Sequence, residues 1–423
     1  MNVLVIGSGG REHAICYAFK KEIRIERLFC ADGNAGIAQI AERVPIKPDD
    51  INALADFAAA NNVGLTFVGG EVSLAMGIGD EFERRGLKVI GPNREASQLE
   101  SSKSFAKDFM ARHGIPTAKF TTSHSPAFAI LELESGDFGG EDKPVVVKAD
   151  GLAGGKGVVV AKNRVEAVIA INEMASLVGT AAAEKIVLEE CLVGREVSLL
   201  LFVDGEDFAL MPPVRDHKRV GEGDTGPNTG GMGTVTDALL LSDEELQVVK
   251  DTIIRPTLHG CIREGFRFRG ILFLGLMMTA KGPQLLEYNV RFGDPETQAI
   301  LVRLETSLLD ICGAMLTGNL ASVEIKWQQG SSACIVLAAD GYPVKPRTGD
   351  VIDGLDAATG IEDVTVFHAG TANGPDGAFV TAGGRVLGVT ATGSDVAFSL
   401  ALAYSAVDKI RWPGMQYRKD IGK

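Results

Sequence analysis

Along the first hundred residues, short uninterrupted apolar runs alternate with stretches of helical spacing. Residues 3–6, 27–30, 65–70 and 88–91 read as strands, and helical patterns follow Arg11, Asp49 and Met76. Strands that are apolar along their whole length and separated by helices predict a parallel sheet covered on both faces. Gly91-Pro92 closes that unit. Ser101 and Ser102 then cap a helix over 103–113 that Gly114 stops, and a stretch rich in Ser, Gly, Asp and Pro runs to Pro144. From Val145 the pattern turns to strands and hairpins: VVVKA, GKGVVVA, KIVLEE and EVSLLLFVDGEDFALMP, the last turning at Asp204-Gly205. These strands suggest a second α/β unit, continued by a polar, Gly-rich insertion over 217–233, a helix around 243–265 and the paired runs GILFLGLMMT and QLLEYNVRF. The last hundred residues look separate, with ACIVLAADGYP, a Gly- and Asp-rich middle, GGRVLGVTA and a helix over about 394–411. The fold class expected is multidomain α/β, divided at 1–100, 101–325 with a lid part at about 120–192, and 326–423.

Composition narrows the functions. Lys plus Arg number 42 against 55 Asp plus Glu, a formal charge of −13, so the field repels nucleic-acid backbones and anionic lipid surfaces. Neither nucleic acid nor membrane is expected as a partner. An apolar content of 45% suits chains that fold rather than disordered ones. The six cysteines (Cys16, Cys30, Cys191, Cys261, Cys312, Cys334) form no CxxC pair, which argues against a zinc cluster or a disulfide framework and suits a reducing compartment. No apolar run reaches membrane-spanning length, and MNVLVIGSGGREH passes from apolar residues straight into Gly and charge, unlike a signal peptide; a cytoplasmic protein is expected.

Gly is in excess, and the excess gathers in segments with possible chemistry. Gly7-Ser8-Gly9-Gly10-Arg11-Glu12-His13 follows a strand and opens a helix, where free N–H groups and the helix dipole favour an anion. It is not the dinucleotide fingerprint, because Glu12 stands where the third Gly belongs. Lys148-Ala149-Asp150-Gly151-Leu152-Ala153-Gly154-Gly155-Lys156-Gly157 lies between two VVV runs and is not a Walker loop either. As a hairpin tip it can bring backbone N–H groups over a polyphosphate while Lys148 adds a point charge. In LEYNVRF the strand period puts Glu287, Asn289 and Arg291 on one face, with Leu286, Tyr288 and Val290 toward the opposite core. Hard oxygen donors from Glu287 and Asn289 suit Mg²⁺ bridged to phosphates, and Arg291 suits a further phosphate or carboxylate. The insertion from Arg215-Asp216-His217-Lys218-Arg219 to Asn228-Thr229-Gly230-Gly231 has almost no apolar anchor and reads as an ordered ligand loop or a disordered one. Glu189-Glu190-Cys191-Leu192 ends a strand before Glu196, a placement open to adenine and ribose recognition or to a plain solvated acidic run.

Together these segments resemble the ATP-grasp ligases, and VLVIGSGGREHA, KADGLAGGKGVVVA, DHKRVGEGDTGPNTGGMG, EYNVRFGDPETQ, VTAGGRVLGVTA and MQYRKDIG narrow the resemblance to the glycinamide ribonucleotide synthetase family over nearly the whole chain. The resemblance implies an ATP-grasp fold with an N-terminal parallel-sheet domain and a small C-terminal mixed α/β domain. It implies ATP with Mg²⁺ or Mn²⁺, and the small-molecule substrates glycine and 5-phosphoribosylamine, joined through glycyl phosphate by a monomer or weak dimer. By the same resemblance, Lys103 and Lys148 lie on the phosphates under a Gly151, Gly154, Gly155, Lys156, Gly157 lid, with Glu189, Glu190, Cys191 and Leu192 at the adenine, Glu196 at the ribose and Arg219 beside the nucleotide. Glu287 and Asn289 would ligate metal; Arg291, Asp294, Asp216 and Lys218 would form the catalytic set; Asn228, Thr229 and Gly230 would meet substrate, and Gly9, Gly10 and Arg11 the 5-phosphate. The chain departs from the family pattern at Asp32, Gly70, Ser73, Arg215 and Asp340. Rival readings are an ATP-grasp ligase with another substrate pair, a biotin-carboxylase-like enzyme, a nicotinamide-dependent dehydrogenase and a non-catalytic nucleotide-binding regulator.

Overall fold

The computed structural model describes residues 1–152 and 157–423. Strands β1 (Asn2–Gly7), β2 (Arg27–Asp32), β3 (Glu42–Val44), β4 (Val63–Val68) and β5 (Val89–Ile90) form a parallel sheet in the order β3-β2-β1-β4-β5. Its uninterrupted apolar runs are explained by burial on both faces. Val3 and Val5 enter one core with the helix Gly10–Lys20, while Leu4 and Ile6 enter another with Ile51–Ala60 and Ile78–Arg84. The turn after β1 lies where the strand order reverses, the usual place for a ligand in such sheets.

The stretch expected as a lid is an antiparallel sheet of β6 (Phe120–Ser123), β7 (Val145–Ala149), β8 (Val158–Ala161) and β9 (Ile186–Glu190), ordered β6-β9-β7-β8. It carries its own apolar core against the helices Pro126–Ser135 and Arg164–Val178. The first of these helices occupies the stretch whose composition suggested only turn residues. Local signals produce it: the Ser125 hydroxyl accepts from the Phe128 N–H, Pro126 sits in the first turn, and Gly136 ends it at φ +86°.

The central sheet collects β10 (Arg195–Asp204), β11 (Asp207–Leu210), β12 (Val214–Asp216), β15 (Gly233–Thr236), β16 (Arg269–Thr279) and β17 (Gly282–Asn289), with a small hairpin of β13 (Arg219–Gly221) and β14 (Thr225–Asn228) in the insertion. Beyond it come β18 (Ser331–Ala338), β19 (Val364–His368), a pair formed by β20 (Thr371–Asn373) and β21 (Phe379–Thr381), and β22 (Arg385–Gly393). The last hundred residues are joined to the rest more closely than their sequence suggests. β18 pairs antiparallel with β15, so the sheet runs on as β17-β16-β10-β12-β15-β18-β22-β19, although the helix Val396–Val407 gives this end its own core. Among the described residues no helix is long and apolar enough to cross a membrane, and all six cysteines are free.

The N- and C-terminal units meet at histidines. His13 Nδ1 accepts the His368 N–H at 2.8 Å, and Asn34 donates to the carbonyls of Ser8 and His368 at 2.8 Å each. Burial, reinforced by His368, pushes His13 down to about 3, and burial holds His217 and His368 to about 4. All three fold neutral but take up protons near 6.5 when unfolded, so the stability they carry is complete above that pH and is lost as pH falls through 6.5 toward 4. We expect the melting temperature to decline already between about pH 6.5 and 5, above most carboxylate titrations. Replacing His217 by Asn should flatten that decline; a wild-type curve level over this window would contradict it.

Candidate active site

β17 organises the site. Glu287 and Asn289 share its open face and Arg291 continues it, while Tyr288 and Val290 are buried behind. The register between β16 and β17 shifts at Leu286, pairing Gly275 with Glu287 and Leu276 with Leu285, so Leu285 takes the core position expected of Leu286. Leu286 instead is half-buried and its carbonyl accepts from Lys148 Nζ at 3.3 Å.

Cations converge on Glu287. Lys218 Nζ lies 3.9 Å from Glu287 Oε1 and 3.8 Å from Glu196 Oε2. Burial opposes the charge on Glu287, yet Lys218, Lys148, Lys103 and Arg291 together hold its carboxyl below the usual range. Burial likewise opposes the Lys218 ammonium, and Glu287 and Glu196 outweigh it, holding it above the ordinary lysine value. Behind them Lys148 Nζ pairs with Glu189 Oε1 at 2.7 Å and Lys107 Nζ with Glu189 Oε2 at 2.9 Å, all three side chains less than a tenth exposed. Burial, then the Lys148 charge, brings Lys107 down to about 8 against the pull of Glu189. Two ammonium groups share one carboxylate, so this buried cluster is short of negative charge.

The helix Lys103–Arg112 brings the Gly-rich hairpin to the same place. Lys103 Nζ donates to the Gly151 carbonyl at 3.0 Å, and Asp150 accepts from the Ser104 N–H at 3.1 Å and the Ser104 hydroxyl at 2.6 Å. The Gly157 carbonyl accepts from the Ala149 N–H across the strand pair; Gly154, Gly155 and Lys156 lie outside the described residues. Along the next strand edge, Glu190 is tied twice to Lys119, its carboxylate and its own N–H both at 2.9 Å. Burial raises the half-exposed Cys191 thiol, and the Leu192 N–H takes no partner among the described residues.

The other end of the cleft joins the three units. Arg291 pairs with Glu71 at 3.3 Å and Glu100 at 2.8 Å, and donates to Asn289 Oδ1 at 3.0 Å. Asp294 accepts from Gln298 at 2.8 Å and pairs with Arg385 at 3.4 Å. Arg385 also donates to the carbonyls of Asp294 and Gly230 at 2.6 Å each, linking the insertion to the turn after β17. Thr229 bonds the Lys218 carbonyl through both N–H and hydroxyl, at 2.7 and 2.8 Å. Asn228, Thr229 and Gly230 line a cavity of about 250 Å³ with Tyr342 and Arg385. Burial, then Glu296, pushes the Asp216 carboxyl well above the usual range, and its Oδ1 has no partner among the described residues. Gly231, at φ +115°, lets the insertion cross this carboxyl, since a Cβ there would lie 2.8 Å from Asp216 Oδ1 and 2.5 Å from Pro295 Cδ.

The turn after β1 differs from the open anion site its sequence suggests. Glu12 Oε2 accepts the Gly9 N–H at 2.6 Å, so the chain's own carboxylate occupies that donor. A Cβ on Gly7 would come within 2.5 Å of the Glu12 side chain. Arg11 is engaged by Glu12 at 2.6 Å, the Phe292 carbonyl at 3.0 Å and Glu71 at 3.8 Å. Gly10 packs against Gln298, and Gly9 faces Asp294. Arg219 donates to Gly226 at 2.7 Å within the insertion. The departures from the family pattern have local partners: Asp32 pairs with Arg43, Ser73 donates to the Pro48 carbonyl, Arg215 donates to the Lys423 carbonyl, Asp340 pairs with Arg347, and Gly70 leaves room for Arg11.

Three family models cover the chain in order: phosphoribosylglycinamide synthetase N domain over 1–100, ATP-grasp (A) domain over 101–297 and C domain over 332–423. A phosphoribosylamine–glycine ligase of Pseudomonas aeruginosa is 48% identical over 430 residues, covering 100% of this chain and 97% of that one. The chain belongs to the phosphoribosylglycinamide synthetase family. A second relative, the phosphoribosylamine–glycine ligase of Caldanaerobacter subterraneus, is 42% identical across 100% of this chain and 99% of its own. The solved phosphoribosylamine–glycine ligase of Thermotoga maritima superposes with a TM-score of 0.85 at 33% identity, each chain covered fully. The biotin carboxylase domain of Hydrogenobacter thermophilus 2-oxoglutarate carboxylase, solved with magnesium ADP, gives 0.74 at 15% identity over 98% and 91% of the chains, which shows a shared fold.

Glu287 and Asn289 fit a divalent ion of the Mg²⁺ kind. They offer two hard oxygens, Asn289 Oδ1 keeps a lone pair besides its bond to Arg291, and Mg²⁺ is commonly held by one or two protein groups with phosphates and water. Among the described residues no cluster of three His, Cys, Asp or Glu could hold a metal by itself. In this phosphoribosylglycinamide synthetase family member, Glu71, Glu100, Lys107, Glu296 and Arg385 escaped the sequence reading. Glu71, next to the strand run LTFVGG, Glu296, within EYNVRFGDPETQ, and Arg385, in GGRVLGVTA, lay close to a visible signal. The Glu189 cluster makes a stability prediction. Replacing Glu189 by Gln leaves two buried ammonium groups facing each other and should cost about 3 kcal/mol in urea unfolding, as breaking a buried pair does; a loss below about 0.5 kcal/mol would be the level of an exposed pair.

Proposed function

We propose that the protein joins glycine to 5-phosphoribosylamine, with ATP converted to ADP and phosphate, through glycyl phosphate, giving glycinamide ribonucleotide in the second step of de novo purine biosynthesis. The observation that carries this reading is the Glu287 carboxylate ringed by Lys103, Lys148, Lys218 and Arg291, an anion-seeking cleft that opens onto the insertion and the β1 turn. The relatives' names supply the substrates.

A carboxylate resists an amine because resonance and negative charge both oppose attack, so one oxygen must first leave as phosphate. The chain's part is placement and charge neutralisation, with no covalent enzyme nucleophile required. Lys103 and Lys148 would take the phosphate charge, Glu196 the ribose hydroxyls, and the Leu192 N–H the adenine edge. Glu287 and Asn289 would hold Mg²⁺ or Mn²⁺ among the phosphate oxygens. When bound, that ion supplies charge neutralisation on the transferring phosphoryl group. Lys218 would stand over the transferring group and Arg291 beside the glycyl carboxyl. Asp216, whose carboxyl burial pushes well above the usual range, would as the carboxylate be a stronger base than an exposed acid and would take the proton that the attacking amine sheds. We place the phosphorylated amine between Gly9, Gly10 and Asp294 on one side and Asn228, Thr229 and Gly230 on the other. Arg11 would act as the frame of that wall. Closure of the four-stranded sheet over the cleft would keep water from the acyl phosphate.

ADP release measured with ATP, glycine and freshly made phosphoribosylamine, omitting each in turn, should need all three for full turnover. Glu287→Ala should fold normally by circular dichroism and lose about 10³-fold in rate, the scale for removing one preorganised electrostatic group. Unchanged ADP release in that variant would refute the reading.

A further inference from the structure

The sequence segment MQYRKDIG belongs to no part of the cleft, yet in the structure it grips the insertion that forms one wall of it. Tyr404, on the helix Val396–Val407, donates its hydroxyl to the Arg418 carbonyl at 2.8 Å and accepts from the Ile421 N–H at 3.3 Å, while Ile421 itself is buried. From this anchorage the side chains reach outward. Arg418, only 2% exposed, holds Asp420 with Nε at 2.7 Å and Nη2 at 2.8 Å. Its Nη1 crosses to the insertion, donating to Asp224 Oδ1 at 2.7 Å and to the Arg219 carbonyl at 3.1 Å. Four of the five guanidinium N–H groups are thereby placed. Asp420 Oδ2 in turn accepts the Gly223 N–H at 2.7 Å, and the Lys419 N–H reaches Glu222 at 3.3 Å. At the base of the insertion, His217 is locked in one tautomer: Nε2 accepts the Gly422 N–H at 3.1 Å, so Nδ1 carries the proton that the Gly233 carbonyl accepts.

The insertion has few apolar contacts of its own, Met232 aside, and its hairpin of β13 and β14 is short and polar. Such a loop cannot set its own position to the precision that chemistry requires. We propose that Arg418 and Asp420 are positioning residues for the ligation: by clamping Arg219, Gly223 and Asp224 from outside, they set where Lys218, Asn228, Thr229 and Gly230 stand in the cleft. This inference rests on the substrate role proposed for that loop. It gives the C-terminal unit a defined part in substrate capture, exerted through backbone and side-chain hydrogen bonds at a distance from the reacting atoms.

The test uses two variants of the full chain. Arg418→Ala removes the hub, and Asp224→Asn weakens the clamp from the loop side, where the carboxylate is 65% exposed and the backbone, at φ +53°, tolerates Asn. For each we expect hydrogen exchange at the Gly223 amide to quicken and KM for glycine or phosphoribosylamine to rise about tenfold, a misplacement effect, while KM for ATP changes less than about twofold. Arg418→Lys, which cannot form the same fork, should recover only part of the loss. Should Arg418→Ala fail to fold, Asp224→Asn decides alone. Faster exchange with every KM unchanged, or equal loss for all three substrates, would overturn the inference. A wild-type enzyme that does not couple glycine to phosphoribosylamine would instead overturn the function proposed above, leaving the exchange measurement to report on the clamp.

Discussion

The structure depends on cations gathered round two carboxylates, Glu189 and Glu287. Lys107 and Lys148 share the buried Glu189, while Lys103, Lys218 and Arg291 gather round the partly exposed Glu287. Isolated buried charges are expensive, and such an arrangement persists only where the surrounding elements are rigid enough to hold it. The helix Lys103–Arg112 holds Lys103 and Lys107, the four-stranded sheet holds Lys148 and Glu189, and β17 holds Glu287. Under the proposed function, a polyanionic ligand with a divalent ion would draw its affinity from these cations.

Much of this was legible beforehand because the informative features are local. The uninterrupted apolar strands announced a sheet covered on both sides, Ser102 announced the helix that carries Lys103, and period two in EYNVR put Glu287 and Asn289 on one face. What escaped was decided by register and by distant packing. The register shift beside Gly275 exchanged the positions of Leu285 and Leu286, a change with no trace in the strand's own alternation. Glu12 was read as an obstacle to dinucleotide binding, but only the fold reveals that its carboxylate folds back onto the Gly9 N–H. Lys107, Glu100 and Arg385 look like ordinary surface charges until contacts from remote segments surround them.

The nine-stranded sheet shows why the apparent modularity of the sequence is only partial. Apolar cores can be separate while hydrogen-bonded ladders are shared, and here the C-terminal unit keeps its own core yet extends the central sheet through β15 and β18. The composition of the last hundred residues reports the core and not the ladder. A similar economy governs the insertion: too polar to pack by itself, it is given its place by Arg385 on one side and Arg418 on the other.

That shared ladder constrains how the molecule can breathe. Antiparallel strands bonded along their length resist sliding, so a hinge between the central strands and the C-terminal unit would have to break the β15–β18 pairing. Among the described residues neither the four-stranded sheet nor the parallel sheet shares such a ladder with the nine-stranded one. The β15–β18 ladder therefore makes the floor of the cleft and the C-terminal unit one slab, and any hinge that admits a ligand has to lie outside it.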